Sequence, residues 1–248
     1  GVMNTDNMSV AGETIDYGPC AFMDDYDPTT VFSAIDRQGR YAYANQPAIA
    51  QWNLARLAEC FLPLLLEDPD LAVAEAEEAL SAFAPAFERA HQAGLNRKLG
   101  LLTEREGDAA LGQDLLNTMG ANGADFTLTF RRLSEAALGT ENDTSVRSLF
   151  ADPSACDQWL TRWRQRLEQE PTDAALRRSA MRTVNPAYIP RNHRVEAVIR
   201  AAVDKADFGL FEDLLKVLST PFADQPAFSH YAEPPQDSER VRQTFCGT

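Results

Sequence analysis

From about residue 48 to residue 218 the apolar side chains recur at three- and four-residue spacing, a period that admits little other than helix. The first such run, 48–66, carries Ile49, Trp52, Leu57, Cys60, Phe61 and Leu64, with Pro63 placed to kink or end it. Asn45 is in position to cap this helix and Pro47 to sit in its first turn. A second run, 71–93, aligns Leu80, Phe83, Phe87 and His91 on one face, and Pro85 is expected to split it. Helices are predicted over 108–119, 125–137, 153–169, 172–183, 194–206 and 207–218. Asp125 and Asp143 stand at N-cap positions, with Gly120 and Gly139 as stops. The chain is therefore expected to be mainly α.

Trp52, Trp159 and Trp163 are expected in the core, and Cys60 and Cys156 as buried thiols. Arg131-Arg132 and Arg177-Arg178 read as solvated helix faces. His91, His193 and His230 share no metal-ligand spacing and are expected to be structural or exposed. The tail from Thr220, rich in Pro, Gln and Asp, is expected either to be disordered or to dock as an extended strap.

The first nineteen residues, GVMNTDNMSVAGETIDYGP, break this pattern. Met8-Ser9-Val10 and Thr14-Ile15-Asp16 flank Ala11-Gly12-Glu13, which predicts a short β-hairpin. Asn7 precedes its first strand and Asp16 ends its second, so the hairpin would bring their oxygens together. Asp6, Asn7 and Asp16 are hard oxygen donors of the kind magnesium takes alongside phosphate and water. An Asn beside an Asp permits the amide to coordinate while the carboxylate handles a hydroxyl proton. The same residues also fit a capped, solvated turn, and on their own they leave both readings open. The segment 20–30 with Asp24, Asp25 and Asp27 reads as an irregular loop, and Asp36 to Tyr41 as a further turn.

The net charge of −14, from 37 acidic and 23 basic residues, argues against nucleic acid and against an anionic membrane surface. No apolar run approaches the roughly 20 residues of a membrane span. Four widely spaced cysteines do not make a disulfide scaffold or a zinc site. The start at Gly1, inside a motif, reads as a fragment of a longer protein.

Several stretches in series resemble one family. They are GVMNTDNMSVAGETIDYGP, GRYAYANQPAIAQWNLARLAECFLPLL, RKLGL at Arg97, MRTVNPAYIPRNH at Met181, the Pro221–Pro226 motif, and Cys-Gly-Thr at the end. Together they are similar to the selenoprotein O, or SelO/YdiU, protein adenylyltransferases. The resemblance implies a protein-kinase-like C-terminal lobe with a short β-hairpin at the catalytic and metal loop and a large helical extension. Residues 1–66 would hold the catalytic loop, metal-binding hairpin, activation-like segment and first helix, and 67–248 the helical remainder with its tail. It implies a cytoplasmic bacterial enzyme that moves AMP from ATP to Ser, Thr or Tyr hydroxyls of proteins, using Mg or alternatively Mn. Asp6 would be the catalytic aspartate, with Asn7 and Asp16 as metal and cofactor ligands. Asp16-Tyr17-Gly18 is similar to the kinase Asp-Phe-Gly loop, whereas the adjacency of Asp6 and Asn7 departs from the kinase spacing.

The family's redox-active C-terminal residue implies a pairing of Cys246 with Cys20. Asn185-Pro186 and Arg191-Asn192 belong to a family motif and would form a rigid turn that supports the catalytic face. No Gly-rich phosphate loop or Lys–Glu pair is present, so this chain alone is expected to bind ATP weakly and to need the N-terminal lobe. The other readings are a kinase that moves the γ-phosphate and a non-catalytic helical interaction module.

Overall fold

The computed structural model describes residues 1–13 and 20–245. Ten α-helices account for most of them: α1 Gln46–Leu65, α2 Pro69–Ser81, α3 Phe83–Lys98, α4 Asp108–Asn122, α5 Phe126–Ala136, α6 Asp143–Arg147, α7 Pro153–Leu167, α8 Ala174–Val184, α9 Asn192–Lys205 and α10 Gly209–Ser219. Among the described residues the only β-pairing is an isolated antiparallel bridge between Asp25 and Asp125. The second strand of the expected hairpin lies outside the described residues. Over residues 9–12 the chain makes a tight turn, with Gly12 N–H donating to Ser9 O at 3.2 Å.

Aspartates set several helix starts. Asp68, Asp125, Asp152 and Asp173 each accept from backbone N–H groups of the first turn of α2, α5, α7 and α8. Such a cap contributes about 1 kcal/mol. Pro85 lies in the first turn of α3, and the break at Ala82 splits the 71–93 pattern as expected. Pro63 lies inside α1, which ends two residues later at Leu65. Three boundary expectations are corrected. Asp143 is the first residue of α6 and not its cap, a position that Asn142 holds without a side-chain bond. Gly120 does not end α4; Gly123 does, with a left-handed φ of 59° and its N–H on Met119 O. Asn45 precedes α1 but makes no cap, because its amide nitrogen donates to Gly39 O at 2.8 Å instead.

By contacts the chain divides into two units, residues 1–21, 28–92 and 243–248, and residues 22–27 and 93–242. This grouping follows packing, whereas a division after residue 66 follows motif content. In the first unit α1 packs on α2, and Ala72 and Ala76 are buried. Asn53 is the one buried residue of α1, while Trp52, Phe61, Leu64 and Leu65 are exposed. Trp52 is thus not a core residue. It lies between two guanidinium groups, with Arg40 at 4.9 Å and Arg56 at 5.3 Å from its ring. Cys60 is exposed as well, against expectation. Of the tail, only the stretch from residue 243 lies in this unit, where Ala34 N–H donates to Thr244 O at 2.8 Å and Thr244 Oγ1 donates to Phe32 O at 2.8 Å. Residues 220–242 belong to the second unit and form a 3-10 helix over Pro226–Ala232.

In the second unit α4 packs on α7 and α5 on α8. Trp159 and Trp163 stack at 5.7 Å, and both indole N–H groups are satisfied, by Leu111 O and Leu99 O at 2.9 Å each. Cys156 is buried beside them in α7, as expected. A smaller apolar cluster joins Ala187, Tyr188, Leu214, Val217 and Tyr231. Arg131 and Arg177 are buried, which corrects the reading of both as solvated. Arg131 donates to Asn185 O, and Arg177 to Leu167 O and Thr172 O.

Candidate active site

Asp6 and Asn7 share one 3-10 turn, Thr5–Asn7, closed by Asn7 N–H on Asn4 O at 2.9 Å. Both side chains are exposed. The Asn7 amide nitrogen donates to Val2 O at 3.2 Å, which leaves its oxygen as the end available to a cation. A carboxylate and an amide oxygen on adjacent residues of one open turn are a donor set that fits a hard divalent ion. Among the described residues no group of three His, Cys, Asp or Glu gathers into a metal cluster. The third expected ligand, Asp16, lies outside the described residues, as does Cys246.

The turn is held from two sides. On one side the Asp36 carboxylate accepts from Arg40 N–H and Tyr41 N–H, each at 2.8 Å. Gly39, with φ +66°, closes the same bend through its N–H on Asp36 O. That bend presents the Tyr41 hydroxyl to Asn4 Oδ1. On the other side Asn53 of α1 sends its amide nitrogen to Met3 O at 2.9 Å and against Met8 Sδ. Met3 and Met8 bracket Asp6 and Asn7. Neither Tyr41 nor Asn53 is recognisable as a site residue in the sequence. The one hint is an amide in the middle of the apolar run of α1.

Cys20 is exposed with a free thiol. The motif that follows α8 is internal to the second unit. Asn185 is fully buried, donates to Lys98 O at 2.9 Å and accepts from Lys98 Nζ at 3.3 Å. Burial pushes the Lys98 ammonium below the usual lysine range. Arg191 is buried against Asp24, Asp125 and the Ala232 carbonyl. Burial pushes the Asp24 carboxyl up, and the Arg191 guanidinium opposes that only in part. Asn192 pairs with the backbone of Phe22 in both directions, at 2.8 and 3.0 Å. The motif therefore fixes the segment 22–27 and the turn before α9. His193 is buried, and among the described residues neither of its ring nitrogens has a hydrogen-bond partner.

Residues 1–219 match the family model described as Protein adenylyltransferase SelO. The whole chain is 66% identical to a protein nucleotidyltransferase YdiU of Bradyrhizobium sp. (strain BTAi1), covering 50% of that protein. It is 64% identical to the protein of the same description from Rhodopseudomonas palustris, again over 50% of its length. A third relative so described, from Methylorubrum populi, is 64% identical, with 51% of its length covered. The chain spans about half the length of the curated relatives it matches.

Proposed function

Since the chain belongs to the SelO protein adenylyltransferase family, we propose that its full-length protein transfers AMP from ATP to Ser, Thr or Tyr hydroxyls of other proteins. The Asp6-Asn7 turn carries this reading, with its donors exposed and its backbone held from both sides. Asn7 and Asp16 would hold Mg²⁺, or Mn²⁺ as the other hard ion that suits them. Bound there, the ion supplies neutralisation of phosphate charge. Asp6 orients the acceptor hydroxyl and takes its proton. The hydroxyl oxygen bonds to the α-phosphorus, the bond to the bridging oxygen on the β side breaks, and pyrophosphate leaves. An exposed aspartate is a weak base, so most of its contribution is orientation.

Residues 1–66 carry the chemistry in this reading, in a kinase-like C-terminal lobe with its metal hairpin, and 67–248 support them. The 248 residues contain no Gly-rich phosphate loop and no recognisable Lys–Glu pair. The chain alone therefore binds ATP weakly and transfers no AMP. The enzyme works in the bacterial cytoplasm, and no described helix is long and apolar enough to cross a membrane. Cys20 and Cys246 would form a redox pair that ties down the tail. Two residues before Cys246, Thr244 is bonded to Phe32 and Ala34, which keeps the end of the tail in the unit that holds Cys20. Peptide mapping under non-reducing conditions tests it, and free thiols at both positions count against it.

The test of the activity is full-length protein with Mg²⁺ and ATP labelled at the α- or the γ-phosphorus. The expected result is α-label on protein hydroxyls, lost in Asp6→Ala. Incorporation of γ-label instead would make the enzyme a kinase.

A further inference from the structure

We propose that Asn53 is a positioning residue for the catalytic turn, a role that rests on the reading of Asp6 and Asn7 as site residues. α1 inverts the usual order of burial. Its one buried residue is an amide, while Trp52, Phe61, Leu64 and Leu65 are exposed. Asn53 is 5% exposed. Its nitrogen faces the Met3 carbonyl at 2.9 Å, and an acceptor there fixes which end of the amide points inward. The same nitrogen lies against the Met8 thioether. Among the described residues its oxygen is buried with no donor, an arrangement that disfavours the folded state.

A leucine has the same heavy-atom branching and would carry no buried acceptor of its own, though it would take the donor away from the Met3 carbonyl. The amide thus adds little to stability, and a local rule broken in this way points to function. Its donor holds the chain just before and just after Asp6 and Asn7, the two residues that must face the phosphates. Asn4 is held separately by the Tyr41 hydroxyl, and Asn4 O in turn accepts Asn7 N–H. Asn53 therefore sets the height of the turn above α1, and Tyr41 sets its lateral position. Without the Asn53 bond the turn keeps its internal bond but loses its anchor to the helix.

The experiment compares full-length wild type, Asn53→Leu and Asn53→Gln. In Asn53→Leu the orphaned oxygen disappears while the Met3 carbonyl loses its donor, two effects of opposite sign, so the protein still folds and its melting temperature changes little. The kcat for AMP transfer falls about 10- to 100-fold, because sub-ångström misplacement of reacting groups has that effect. KM for ATP stays within about twofold, and hydrogen exchange of peptides covering residues 1–8 speeds up. Asn53→Gln, which keeps a donor, recovers part of kcat. A folded Asn53→Leu protein with wild-type kcat and unchanged exchange overturns the positioning role and leaves the proposed activity standing. If wild type transfers no AMP, the activity reading fails instead, and exchange of residues 1–8 decides whether Asn53 anchors the turn.

Discussion

Arg191 Nη1 stands 2.7 Å from Asp125 Oδ2, the arginine side chain 1% and the aspartate 4% exposed. The same guanidinium reaches Asp24 and the Ala232 carbonyl, so one planar fork ties three separate parts of the chain. Asp125 also caps α5 through Leu128 N–H at 2.7 Å. An ammonium cannot serve three partners in that plane, so Arg191→Lys is not conservative here. Arg191→Ala leaves the buried Asp125 and the half-buried Asp24 without their cation and is expected to cost about 3–5 kcal/mol. Arg191→Lys is expected to recover part of that. Urea denaturation followed by circular dichroism measures both, and a loss below about 1 kcal/mol for Arg191→Ala would contradict this account.

A second buried network makes stability depend on acid. Glu170 accepts from Leu102 N–H, Thr103 N–H, Thr103 Oγ1 and Arg166. Burial alone would push its carboxyl up, but the bonds from Thr103, Arg166 and Leu102 outweigh burial and hold it below its ordinary value of 4.5. A native value below the unfolded one means that the stabilisation is full above about pH 4.5. It is lost as pH falls through the lower native value. The urea midpoint is therefore expected to drop below pH 4.5 in wild type. Glu170→Gln should be less stable at pH 7 and show a shallower acid-side fall. An unchanged acid slope in Glu170→Gln would show that another carboxylate controls it.

Helix positions were legible because period and cap are local signals, and Asp125 starts α5 with its own carboxylate, whereas Asp143 falls one residue inside α6. The fate of a helix-face residue is not local. Arg131 and Arg177 are buried because carbonyls of other segments meet their guanidinium groups, and no pattern within α5 or α8 records that. Trp52 and Cys60 fail in the opposite direction, as apolar positions of α1 left exposed. Asp6 and Asn7 could be put forward from the chain alone, since donor type and adjacency are written in it. What holds them was not, because Asn53 and Tyr41 act across 50 and 37 residues of sequence.

In the proposed ligand set, Asp16 is the residue whose removal would separate catalysis from folding. In the full-length protein Asp16→Ala is expected to lower metal-dependent AMP transfer by at least about 100-fold, the scale on which lost charge stabilisation acts. Its circular dichroism spectrum should remain that of wild type. Titration with Mn²⁺ followed by electron paramagnetic resonance should show weaker binding than in wild type. Wild-type transfer and Mn²⁺ affinity in Asp16→Ala would remove this residue from the ligand set.

The cysteines give a chemical readout of the packing. Cys60 is exposed on α1, as is Cys20 after the turn segment. Cys156 is 1% exposed inside α7, and its thiol is pushed up to about 12, first by burial and then by the carboxylates of Asp157 and Asp143. A thiol with that value is almost wholly protonated at pH 8, and only the thiolate attacks a disulfide reagent. In a Cys246→Ser background, two thiols should therefore react with an aromatic disulfide reagent under native conditions, and the third only after denaturant is added. Cys60→Ser should remove one of the two fast equivalents with a change in stability within about 0.5 kcal/mol, as expected for an exposed position. If Cys60 stayed unreactive in the native 248-residue chain, the exposed face of α1 would have to be covered there, contrary to the packing described above.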